Sequence, residues 1–60
     1  MNYPEAISYL LEILDQDESE LRALAKRILY ENELPITERT IDTAIVVTAE
    51  YYKHNLIHLN

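Results

Sequence analysis

Glycine, cysteine, tryptophan and phenylalanine are all missing from this chain of 60 residues. Without glycine there is no backbone loop of the kind that cradles a phosphate. Without cysteine there is no disulfide and no thiolate zinc site. No apolar run approaches the ~20 residues needed to span a membrane. Basic charge is also scarce: five Lys and Arg stand against eleven Asp and Glu, for a formal charge of −6. The imbalance is local. Residues 1–20 carry Glu5, Glu12, Asp15, Asp17, Glu18 and Glu20 and no base, whereas residues 21–60 carry five acids and five bases. An acidic surface repels nucleic acid and anionic membrane and suits a basic partner. Glu5 and Glu12 stand where a secretory leader would place basic residues. Together with the lack of cysteine, this fits a reducing compartment, and the expectation is cytoplasmic.

Sixty residues make one domain, and its stability is tight. A chain of 7.1 kDa buries roughly 6,000 Å² on folding. If about 60% of that is apolar, burial contributes on the order of 90 kcal/mol. Ordering the chain costs about 1.5 kcal/mol per residue, again on the order of 90 kcal/mol. Small domains escape this balance through disulfides, metals or self-association. With cysteine absent, self-association is the expected route.

What the chain does contain is aliphatic residues at helical spacing. The first helix is expected from Tyr3 or Pro4 to Leu14, since proline is favoured in a first helical turn. Ile7, Leu10, Leu11 and Leu14 follow the i, i+3, i+4, i+7 pattern of a buried stripe, with Tyr9 and Ile13 off it. Asp15 and Gln16 break the pattern. Asp17 then reads as an N-cap with Glu20 three residues on, a capping box. The second helix runs to about Glu31, with Leu21, Leu24, Ala25, Ile28 and Leu29 as its stripe. Glu18 and Arg22 form a favourable i, i+4 pair on its outer face. Asn32 is the expected left-handed residue at its end, and Leu34-Pro35 prevents continuation.

Thr37 is the expected N-cap of a third helix, with Ile36 and Ile41 placed as a hydrophobic staple. Ile41, Ala44, Ile45, Thr48, Tyr52, Leu56 and Leu59 share one side of it. A second apolar group, Val46, Val47 and Ile57, falls on the opposite side. Thr40 to Tyr52 is rich in strand-favouring residues. It is nevertheless too long for a typical strand, contains no turn residue, and has no partner strand.

Few constellations carry chemistry. Glu50, His54 and His58 recur at i, i+4, i+8 on one helix face, a spacing at which two histidines can share a metal. They also lie where positive charge near a helix C-terminus is favourable, and the expected reading is a polar face with no metal. Asp15, Asp17 and Ser19 begin like a calcium loop, but Glu20 replaces the required glycine and Lys26 the closing carboxylate. Ser8 and Ser19 have no histidine near them in sequence. A helix-turn-helix would present Glu38, Arg39, Thr40, Ile41 and Asp42 to DNA, a set with two acids and one base. The only aromatics are Tyr3, Tyr9, Tyr30, Tyr51 and Tyr52. Tyrosine is enriched at interfaces because it buries area and keeps a polar tip.

The expected fold is therefore all-α: a three-helix antiparallel bundle, residues 1–60, with a long C-terminal helix that dimerises. The expected function is that of a non-catalytic protein–protein interaction module or small regulator, acting as a homodimer on a larger protein, with no cofactor and no metal. The expected interface comprises Val46, Val47, Glu50, Tyr51, His54 and Ile57. Glu12, Asp15, Asp17, Glu18 and Glu20 form an acidic surface for a basic partner. The alternatives are an acidic mimic of nucleic acid that fills a basic groove, and a helix-turn-helix-like DNA-binding regulator.

Overall fold

Three helices, α1 (Tyr3–Leu14), α2 (Glu18–Glu31) and α3 (Glu38–Leu59), pack together in a computed structural model that describes the backbone of residues 1–59 and the side chains of residues 1–55. No strand occurs among the described residues, so the stretch from Thr40 to Tyr52 is helical. With 22 residues, α3 is the longest element. α1 and α2 both pack against it, and make their main contacts there rather than with each other.

Local chemistry sets the helix ends. Asn2 caps α1: its Oδ1 accepts from the Glu5 N–H at 3.0 Å, and the Asn2 N–H donates to Glu5 Oε1 at 3.1 Å. Asp17 and Glu20 form the same reciprocal box at α2, as the sequence predicts. Each box satisfies two backbone donors that the first turn leaves orphaned. At α3, Thr37 Oγ1 accepts from the Thr40 N–H, and Thr40 Oγ1 accepts from the Thr37 N–H. Threonine here takes the place that glutamate holds in the other two boxes.

α1 ends on Asp15, which adopts a left-handed conformation at φ 53°. The end of α2 differs from the expectation. Asn32 has φ −98°, and the left-handed residue is Glu33, at φ 57°. The Leu34 N–H then donates to the Leu29 carbonyl and the Glu33 N–H to the Tyr30 carbonyl, the two bonds of a Schellman motif. The Asn32 amide instead donates from its side chain to the Ile28 carbonyl at 2.7 Å.

Among the described residues the core takes three from each helix: Ala6, Ile7 and Leu10; Leu21, Ala25 and Leu29; Ile41, Ile45 and Ala49. On α2 and α3 these are single i, i+4, i+8 rows. The buried arcs are narrower than the expected stripes and turned from them. Leu11, Leu24 and Ile28, which the periodicity assigns to the core, lie at the surface. Ala6 and Ala49, which belong to neither expected stripe, are fully buried. A methyl side chain suits the places where helices meet closely, and hydrophobicity patterns weight it lightly. Val46 is a second correction. It is half-buried against the core, so it does not lie on a face opposite to it.

Candidate interaction surface

No polar or charged residue is buried among the described residues, and no buried side-chain polar atom lacks a partner. The interior is therefore aliphatic, and the chemistry of this molecule lies on its surface. Two regions of that surface differ sharply.

The first is a polar clasp that ties all three helices together. The guanidinium of Arg22, from α2, donates to the Tyr3 hydroxyl of α1 at 2.8 Å and to Asp42 Oδ1 of α3 at 2.9 Å, and it also reaches Glu38 Oε2. It stacks 5.6 Å from the centroid of the Tyr3 ring, a cation–π distance. The Tyr3 hydroxyl in turn donates a hydrogen bond to Glu18 Oε2 at 2.8 Å. Arg22 thus points into a junction between helices, and the expected outward pair with Glu18 is replaced by this relay through Tyr3. The hydrogen bonds to Asp42 and to Tyr3 hold the guanidinium charged more firmly than usual. Burial, followed by the bond to Glu18, raises the pKa of Tyr3. A further polar tie joins the N-terminal ammonium of Met1 to Glu50 Oε1. That hydrogen bond, then the attraction of the ammonium, lowers the pKa of Glu50.

The second region is an apolar groove between α2 and α3. Its wider part, of about 350 Å³, is lined by Ile28, Leu29, Leu34, Pro35, Thr40, Thr43, Ala44, Val47 and Thr48. A smaller recess of about 100 Å³ lies between Leu10, Leu14, Leu21, Leu24, Ala25, Ile28, Ile45, Thr48 and Tyr52. The two share Ile28 and Thr48, so they are adjoining sockets of one surface. Among the described residues neither is lined by a charged side chain, although sixteen of the 60 residues are charged. The hydroxyl of Thr48 is turned back to the Ala44 carbonyl at 2.7 Å, and that of Thr43 to the Arg39 carbonyl at 2.9 Å. Both threonines therefore satisfy their hydroxyls within α3. In the groove wall Val47 is 60% exposed, and beside the groove Tyr51, one turn on, is 65% exposed. Tyr51 meets Tyr52 edge to face, with ring centroids 6.0 Å apart.

The residues expected at the interface divide between these environments. Val47 lines the groove and Tyr51 follows it on the same side of α3. Val46 packs on the core. Glu50 is exposed and answers the N-terminal ammonium. His54 is exposed, and the side chains of Ile57 and His58 lie outside the described residues. The groove residues of α2 and its connection, Leu24, Ile28, Leu34 and Pro35, were not expected there. One signal for them is present in the sequence: the apolar arc of α2 is five residues wide, more than a single buried row needs. The acidic set Glu12, Asp15, Asp17, Glu18 and Glu20 is exposed throughout. Three of its members already accept local hydrogen bonds, Asp17 and Glu20 in their capping box and Glu18 from Tyr3. Ser8 and Ser19 lie exposed on different helices. Among the described residues no helix is long and apolar enough to cross a membrane, and no cluster of potential metal ligands occurs.

The chain matches no protein-family model, no curated protein and no solved structure.

Proposed function

We propose that this protein is a non-catalytic protein-interaction module that acts as a homodimer on a larger protein. In this reading the chain is one small cytoplasmic domain whose successive helices run antiparallel across their short connections. The observation that carries the proposal is the uncharged groove between α2 and α3. It leaves large apolar side chains in water on a molecule whose core holds nine residues, three of them alanine. Apolar surface of that kind, rimmed by polar residues, marks interaction sites. The all-aliphatic interior favours binding over catalysis, since acid–base and nucleophilic chemistry need polar groups in a desolvated recess. The exposed acids from Glu12 to Glu20 give such a module a second surface for a basic partner. The nucleic-acid mimic gains less support, because three of those five acids are engaged in capping and in the clasp.

Sedimentation equilibrium from about 1 to about 300 µM tests the proposal. The expected result is a shift from 7.1 kDa towards twice that mass. The shift should persist between about 0.05 and about 0.5 M salt, because an apolar contact is little affected by screening. A single 7.1 kDa species at every concentration would remove the homodimer from the proposal.

A further inference from the structure

We propose that the groove between α2 and α3 is the seat of a second copy of this chain, which docks there about a two-fold axis. The inference rests on the interaction-module reading above and names the surface through which that module pairs.

The exposed area leaves room for a neighbour. The chain exposes 4557 Å², whereas a compact protein of its mass exposes about 4,100 Å². The difference is more than half of the ~800 Å² that each partner contributes to a standard interface.

The shape fits self-pairing. A two-fold interface uses the same patch twice, so that patch must carry both knobs and holes. Here the knobs, Val47 and Tyr51, project beside the holes, the two sockets joined at Ile28 and Thr48. A partner helix laid along the groove puts its own Val47 and Tyr51 into those sockets while receiving the first copy's side chains in return.

The charge pattern selects the same face. Two chains of −6 repel, and burying an unpaired carboxylate between them is costly. Among the described residues the groove lining contains no charge. On the neighbouring surface of α2, Arg27 and Glu31 neutralise each other at 3.3 Å. The acids from Glu12 to Glu20 lie outside the groove lining, so pairing through the groove buries none of them and leaves them available to a different, basic partner.

The test combines an association measurement with a protection measurement on the full chain. Val47→Asp places a carboxylate in the centre of the patch at an exposed position, so the fold should survive, which circular dichroism checks. The dimer dissociation constant is expected to rise by about 100-fold or more in sedimentation. Independently, the absence of native cysteine allows single thiols to be read cleanly. Thr43→Cys lies in the groove, and Ser8→Cys is a surface control on α1. Raising the concentration from about 1 to about 300 µM should slow alkylation of the groove thiol by about tenfold and leave the control unchanged. A dimer that persists in Val47→Asp with the groove thiol unprotected overturns the groove as the pairing face, while the homodimer reading stands. A wild-type chain that stays monomeric throughout overturns both, and leaves the groove to an amphipathic helix of another protein.

Discussion

One side of α3 is fastened and another is open. At the clasp, a single arginine touches residues from both of the other helices, and the Tyr3 hydroxyl it meets is itself bonded to Glu18. At the groove, Ile28 of α2 and Val47 of α3 are exposed. The contrast separates two tasks that a 60-residue chain can hardly combine. Polar contacts near the start of α3 fix how the helices sit. Further along, apolar side chains of α2 and α3 such as Ile28 and Val47 stay exposed. The clasp gives orientation more than energy, since exposed ion pairs contribute little and most of the stability has to come from burial.

The largest effect that probes this contrast lies at Ile45, which belongs to the core and also lines the smaller socket of the groove. Ile45→Ala should cost about 3 kcal/mol in denaturant unfolding, a large part of what so small a domain has. A loss below about 1 kcal/mol would mean that the core is not joined to the groove through this residue.

An intermediate effect is expected at the clasp. Arg22→Ala removes the bonds to Tyr3, Asp42 and Glu38 together and should cost about 1–2 kcal/mol. It should leave self-association unchanged in sedimentation, since Arg22 turns to the clasp and is not part of the groove lining. Weakened association with full stability would reverse the roles assigned to the two regions.

The smallest effect is expected at Glu33, which holds a left-handed conformation beside the groove residue Leu34. Glu33→Gly relieves the clash of its Cβ and should stabilise the chain by about 0.5–1 kcal/mol. The check is the unfolding midpoint, measured alongside an unchanged dimer dissociation constant.

Much of the architecture was legible in the sequence, and the reason is local. The proline at Pro4, the box of Asp17 and Glu20, and the break at Leu34-Pro35 act within a few residues of themselves. With the cap at Thr37, they placed both bounds of α1 and α2 and the start of α3 closely. What was not legible depends on neighbours far along the chain. Arg22 finds Asp42 twenty residues away, where a four-residue spacing had suggested Glu18. Ala6 and Ala49 are buried because another helix passes close to them, and nothing in their own side chains signals it. Glu33 takes the left-handed position over Asn32 because the Schellman bonds from Glu33 and Leu34 require it one residue later. The candidate surface divides in the same way. Val47 and Tyr51 were visible as apolar residues that a single stripe could not absorb. Leu24 and Ile28 were assigned to the core, because periodicity gives the width of an apolar arc and not which part of it is covered.

The most direct measurement is the thermal unfolding midpoint of the wild-type chain as its concentration is raised from about 1 to about 300 µM. If a second copy shelters the groove, folding is linked to association, and the midpoint should climb by several degrees across that range. A midpoint that stays fixed at every concentration would show that one copy folds and holds its apolar groove in water unaided.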